Sequence, residues 1–225
     1  MTASARPLEG RNALVTGGSR GIGRGIALEL AAAGAAVAVN YRRDEEAANE
    51  VVRQITEAGG RAVAIRASII EREEVDRLAD ATLAAFGFVD ILVANAGIAS
   101  RGLSIAETDP DEVVRVMAAH TFSTHRLVQR LLPGMRERDR SDVVLISSSE
   151  LEKMKANGAP YNMAKAALEA FGRTLHNEEV ANGVHVNIVA PGLTVTEMGQ
   201  RLVKAKLGMD DMSALDADQP LGRLP

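Results

Sequence analysis

Six short apolar runs, at residues 12–16, 36–41, 62–65, 90–94, 142–146 and 184–190, alternate along the chain with longer segments of helical period. Apolar runs separated by helices imply parallel strands joined by right-handed crossovers. The intervening segments predict helices over 24–33, 44–58, 71–86 and 111–132, and a last one from Tyr161 to about Ala181. In the second helix Ala47, Val51, Val52 and Ile55 fall inward. Asp109-Pro110 supplies an N-cap and a first-turn proline for the fourth, and Pro133-Gly134 supplies its end. The expected architecture is α/β, a three-layer, doubly wound parallel sheet in a single domain covering residues 1–225. Aromatic residues make up only 3 % of the chain, so its core must be built from Ala, Val, Leu and Ile under closely packed helices.

Ligands of such sheets sit beyond the carboxyl ends of the strands. Four chemically distinctive stretches directly follow apolar runs: the glycine turn 17–23, Asn95-Ala96-Gly97, Ser147-Ser148-Ser149 and Pro191-Gly192. They should converge on one sheet edge. Strand, glycine turn and helix in succession is the context of a dinucleotide fingerprint, in which glycines admit a pyrophosphate to the backbone and the helix N-terminus attracts its charge. Here the spacing is G-x-x-x-G-x-G, from Gly17 through Gly21 to Gly23. The plainer reading is a turn that only packs helix on strand. Tyr161 and Lys165, four apart at a helix start, share a face. An ammonium beside a phenol favours phenolate and lowers the phenol pKa, which suits proton transfer.

The formal charge of −4, without a basic stripe, gives no sign of nucleic acid binding. No apolar run approaches the ~20 residues of a membrane span, and the N-terminus lacks a signal-peptide plan, so a cytoplasmic protein is expected. With no cysteine there is no thiolate site. His120 and His125 point about 140° apart on their helix, and His176 and His185 lie on other elements, so no metal is expected. Residues 135–140 read as a solvated loop of mixed charge.

Together, Thr16-Gly17-Gly18-Ser19-Arg20-Gly21-Ile22-Gly23, Asn95-Ala96-Gly97, Ser148, Tyr161-x-x-x-Lys165 and Pro191-Gly192 resemble the motifs of the short-chain dehydrogenases/reductases, in order and over nearly the whole chain. Within that family the nearest familiar activity is that of the 3-oxoacyl-thioester (acyl-carrier-protein) reductases. The resemblance implies a Rossmann fold and hydride transfer between a nicotinamide and a carbonyl or secondary alcohol. It implies Tyr161 as acid/base, Ser148 as hydrogen-bond donor to the substrate oxygen, and Lys165 as the group that lowers the tyrosine pKa and binds the nicotinamide ribose. The coenzyme contacts it implies are Gly17, Ser19, Arg20, Gly21, Ile22, Gly23, Tyr41, Arg42, Arg43, Ser68, Asn95, Ala96, Gly97, Tyr161, Lys165, Pro191, Gly192, Thr194 and Thr196. It also implies a homo-oligomer, a dimer or a tetramer, acting on a small-molecule substrate.

Where the family places an acid for NAD(H), this chain has Asn40-Tyr41-Arg42-Arg43, and Arg20 lies in the glycine turn. Arginines pair with a 2′-phosphate, so NADP(H) is preferred over NAD(H); otherwise Arg42 and Arg43 are a solvated helix entry balanced by Asp44, Glu45 and Glu46. Several positions depart from the family. His120, thirteen residues before Pro133, replaces an asparagine that helps to hold a proton-relay water, and is either a relay itself or a packed helix histidine. Ser68 replaces an aspartate at the adenine, and Asn182 stands where carrier-protein reductases have a basic residue. Residues 219–225 resemble the lead-in to the family's last helix and strand, so either a seventh strand and the usual assembly are missing or the sequence is cut short. Residues 198–212 are expected as a substrate flap or an ordinary amphipathic helix, and Glu150, Glu152, Lys153 and Lys155 as an exposed rim or the lining for a polar substrate.

Overall fold

The computed structural model describes residues 6–218, 223 and 224. Six strands form one parallel sheet: β1 (Asn12–Val15), β2 (Ala36–Tyr41), β3 (Ala62–Arg66), β4 (Ile91–Ala94), β5 (Ser141–Ile146) and β6 (Val184–Val189). Their spatial order is β3-β2-β1-β4-β5-β6. The order reverses between β1 and β4, where Val15 pairs with Val39 on one side and Val93 on the other. That switch point opens the crevice in which open α/β sheets bind ligands.

Helices α1 (Gly21–Ala32), α2 (Glu45–Glu57), α3 (Arg72–Phe86), α4 (Pro110–Met117), α5 (Ser123–Met135), α6 (Glu150–Lys153), α7 (Ala159–Glu179) and α8 (Glu197–Leu207) complete the regular elements named here. Two apolar clusters cover the sheet. One gathers α3, α5 and α7 around Leu14, Leu92, Val143 and Leu145, and the other gathers α1 and α2 around Val15, Val37, Val39 and Val93. Small residues allow the close packing. A Cβ on Gly172 of α7 would run into Leu145 of β5.

Several boundaries differ from expectation. Helix α1 begins within the glycine turn, at Gly21 rather than residue 24. In α2 the buried positions are Ala48, Val51 and Ile55, with Ala47 only half-buried. Pro133 lies inside its helix, two residues before the end, and does not end it. The helix runs on to Met135, which is fully buried rather than part of a solvated loop, and Ser141 Oγ donates to the Met135 carbonyl at 2.9 Å. The expected long helix 111–132 is also interrupted. Residues Ala118–Phe122 form a π-helical turn between α4 and α5. Ala119, His120 and Thr121 are all buried in this widened turn.

At the amino edge of the sheet, Arg11 pairs with Asp90 at 3.3 Å and with Asp142 at 2.8 Å, and Asn12 N donates to Asp90 Oδ1 at 2.9 Å. Among the described residues no helix is long and apolar enough to cross a membrane. The expectation about residues 219–225 falls almost wholly outside the described residues. Of the two described, Arg223 is exposed and Leu224 is buried in a cluster with Val203 and Met212.

Candidate active site

The glycine turn is held from both sides by side-chain amides, Asn40 buried and Asn95 half-buried. Asn40 Oδ1 accepts from Gly17 N at 3.2 Å, while its Nδ2 donates to the carbonyls of Ile65 (3.3 Å) and Ala67 (3.1 Å). Asn95 Nδ2 donates to Thr16 O at 2.9 Å and Gly17 O at 3.3 Å, and Thr16 Oγ1 accepts from the N–H groups of Asn95 and Ala96, both at 3.0 Å. Gly17 sits at φ +62°, and a Cβ on Gly23 would overlap Gly17 O and Asn95 Nδ2. Only glycines let the turn close this tightly. The N-cap of α1, Arg20, makes no side-chain cap bond. An uncapped helix start beneath a glycine cradle fits the pyrophosphate of a dinucleotide. Asn40 and Thr16 stand in stretches quoted from the sequence, but their supporting role was not read there. Their signal is a buried polar side chain in or just after an apolar strand.

The structure brings Ser148, Tyr161, Lys165 and His120 together at the carboxyl edge. Lys165 is 4 % exposed and donates to Ile146 O at 2.6 Å, with Nζ 5.7 Å from the Tyr161 ring centre. The expected lowering of the phenol pKa by this ammonium is not borne out. Burial pushes Tyr161 above its ordinary 10.0, and Glu150 adds to this, while a hydrogen bond with Ser148 opposes it. Burial also lowers Lys165 to about 8. Desolvation dominates both groups because the ammonium is aimed at a backbone carbonyl rather than at the phenol oxygen.

His120 is 4 % exposed, and its ring stands edge-on to Tyr161 with centres 5.5 Å apart. Nε2 lies 2.9 Å from Ile98 O and 3.2 Å from Ile98 N, whereas Nδ1 has no partner among the described residues. Burial, then the Lys165 charge, lowers its pKa to about 4, so it is neutral near pH 7. The π-helical turn carries it there. Thr124 Oγ1 donates to His120 O at 2.6 Å, Ser123 Oγ to Ala119 O at 3.1 Å, and Thr121 Oγ1 to Ala164 O of α7 at 2.9 Å. Gly97 makes room for the imidazole, since a Cβ there would overlap His120 Cε1.

Other expected contacts divide. Ser19 is buried and Ile22 half-buried at the start of α1. Arg20 is not free for a phosphate, because it pairs with Asp44 at 2.6 Å and Glu197 at 2.7 Å. The Tyr41 ring is packed in the core beneath α1 and α2. Arg42 and Arg43 are exposed and make no ion pair among the described residues, and Asp44, expected to balance them, instead caps α2 by accepting from Ala47 N at 2.9 Å. Ser68 Oγ accepts from Ile70 N at 3.4 Å, leaving its proton free to donate. Pro191 O accepts from Ser149 N at 3.0 Å, joining the ends of β5 and β6. Thr194 Oγ1 donates to Gly192 O, and the Thr196 hydroxyl is consumed in capping α8, where it accepts from Gly199 N at 3.0 Å. Helix α8 is tied to the glycine turn through Glu197 and packs through Val203 on Met212. Glu152, Lys153 and Lys155 form an exposed rim.

The model for short chain dehydrogenase matches residues 11–207. A hydroxynaphthalene reductase-like protein Arp2 of Metarhizium brunneum is 40 % identical over 86 % of this chain and 72 % of its own length. A 3-oxoacyl-[acyl-carrier-protein] reductase of Synechocystis is 38 % identical over 84 % of this chain and 76 % of its own. Among solved structures, the angucycline C-6 ketoreductase LanV with bound NADP is 33 % identical, with a TM-score of 0.86 over 97 % of this chain and 84 % of that one.

Proposed function

The chain belongs to the short-chain dehydrogenase family, and from that premise we propose that it is an NADP(H)-dependent reductase of carbonyl groups, most like those acting on 3-oxoacyl thioesters. The observation that carries this reading is the convergence of Ser148, Tyr161 and Lys165 on the sheet edge that also bears the uncapped glycine turn. A nicotinamide coenzyme, when bound, would supply the hydride. As negative charge grows on the substrate oxygen, the Ser148 and Tyr161 hydroxyls stabilise it, and Tyr161 gives up its proton. The Tyr161 phenol is protonated at neutral pH and so has a proton to give. Lys165, on the same helix face, supplies donors for ribose hydroxyls. The NADP(H) preference is supported by Arg42 and Arg43, two exposed guanidiniums just beyond β2 without an ion pair among the described residues, and by the NADP bound in LanV. NAD(H) is the alternative coenzyme. An alcohol, sugar or steroid dehydrogenase is the alternative activity. We take the enzyme to be cytoplasmic and homo-oligomeric.

NADPH consumption with a panel of 3-oxoacyl thioesters, aromatic ketones and steroid ketones tests the reading. Tyr161→Phe should leave NADPH affinity nearly intact and lower turnover by at least ~100-fold, the scale of a lost general acid. Unchanged turnover in that variant removes Tyr161 from the chemistry.

A further inference from the structure

Ser147 has no part in the chemistry above, yet it is 3 % exposed and its hydroxyl donates to Glu169 Oε1 of α7 at 2.7 Å. Strand side chains alternate between faces, so Ser147 follows Val143 and Leu145 onto the face that α7 covers. Glu169 lies four residues after Lys165 and eight after Tyr161, so the three stand one turn apart on one face of α7. Each grips one of three consecutive residues where β5 ends. Lys165 Nζ donates to Ile146 O at 2.6 Å, Glu169 accepts from Ser147, and Tyr161 shares a hydrogen bond with Ser148. On its other side Ser147 N donates to Val189 O of β6 at 2.7 Å. Arg173, a further turn along α7, pairs with Glu169 Oε2 at 3.4 Å, on the oxygen that Ser147 does not use. A hydroxyl bonded at this length to a charged acceptor is held more firmly than by a neutral one.

We propose that Glu169 is a positioning residue: as the third rung of the α7 face that bears Tyr161 and Lys165, it holds Ser147 and so sets the direction in which Ser148 presents its hydroxyl to Tyr161. Ser148 is only half-buried, and its other side-chain bond, from Glu150 N at 3.2 Å, is to the chain just beyond it. Its direction therefore depends on the residue before it, which β6 holds by the backbone and α7 by the side chain. The inference rests on the reductase reading for its kinetic consequence, but the effect on the surroundings of Tyr161 does not.

The first test is therefore independent of turnover. The chain has two tyrosines, Tyr41 in the core and Tyr161 in the site, so the full chain labelled with 13C at tyrosine Cζ gives two resonances, assigned with Tyr41→Phe. Glu169→Ala should move the Tyr161 resonance in the direction that Ser148→Ala moves it and leave that of Tyr41 in place. A Tyr161 resonance unmoved in Glu169→Ala overturns the proposal. The second test is kinetic. Glu169→Ala should lower kcat about tenfold while KM and NADPH affinity stay within about twofold. Glu169→Gln, whose amide oxygen can still accept from Ser147, should keep kcat within about threefold of wild type. Ser147→Ala should match Glu169→Ala, and the double variant should be no worse than either, because all three remove one bond. Wild-type kcat in Glu169→Ala, a glutamine variant as slow as the alanine one, or losses that add in the double variant each overturn the positioning role. If wild type reduces no carbonyl on the panel, the reductase reading fails and the Tyr161 resonance alone decides this proposal. If Glu169→Ala does not fold, Ser147→Ala takes its place in both tests.

Discussion

At the scale of single residues, the site holds charge and polarity that the fold would be more stable without. Lys165 is the clearest case. Its ammonium is held in the core, with a pKa lowered from 10.5 to about 8 by burial. Each pKa unit corresponds to about 1.4 kcal/mol, so the buried charge opposes folding by about 3 kcal/mol below pH 8. Between about pH 8 and 10.5 the unfolded chain binds more protons than the folded one, so this opposition fades as the pH rises. Lys165→Met keeps the length of the side chain and removes the charge, but leaves Ile146 O without its donor at a cost of about 1–3 kcal/mol. The variant should therefore melt higher than wild type at pH 7, by about 1 kcal/mol, while turnover collapses. The gap should shift against the variant as the pH approaches 10.5, because only wild type is relieved. A difference in melting temperature that does not change with pH contradicts the assignment of a buried charge.

At the scale of elements, the sequence read well where periodicity decides the structure and poorly where side-chain hydroxyls do. All six strands, the glycine turn and the helix carrying Tyr161 were legible, because apolar runs and helical spacing report directly on burial. The π-helical turn was not. Its trace was Ser123 and Thr124, whose hydroxyls donate to carbonyls four residues back and so bend a helix. The pairing of Arg20 was equally hidden, since Asp44 and Glu197 come from elements far apart in the chain. The Lys165 charge was read as acting on Tyr161 because spacing gives the shared face but not the direction of Nζ. The turn also couples two elements of the site. Thr121 is its only hydroxyl bonded directly to the helix of Tyr161 and Lys165 among the described residues, through the Ala164 carbonyl. Thr121→Val conserves shape and removes that bond. The expected loss is about 1 kcal/mol of stability together with a fall in kcat, measured by denaturant unfolding and NADPH-coupled turnover. Lost stability with unchanged kcat means that the turn supports α7 without aligning it.

At the scale of the molecule, the sheet has two edges with different work. The carboxyl edge carries Ser148, Tyr161, Lys165, His120 and the glycine turn. The amino edge carries the Arg11, Asp90 and Asp142 network that clamps β1, β4 and β5. Burial would raise the Asp142 pKa, but the hydrogen bonds from Arg140 and Arg11 outweigh it and hold the carboxyl below its ordinary 3.8. That contribution to stability is present above the ordinary value and is lost as the pH falls below it. Strands of four residues separate the edges by about 13 Å at 3.3 Å per residue, with close-packed Ala, Leu and Val between. Damage at one edge should therefore not alter chemistry at the other. Asp90→Ala strips Asn12 N of its acceptor and takes one of two carboxylates from Arg11. The expected loss is about 3 kcal/mol of unfolding free energy, the scale of a buried hydrogen bond to a charged group, with kcat per folded molecule within about twofold of wild type. Urea melts and active-site-normalised turnover measure the two quantities on one preparation. A fall in kcat with stability intact would mean that strand register at the amino edge sets the geometry of the Tyr161 site, and that the sheet carries strain from one edge to the other.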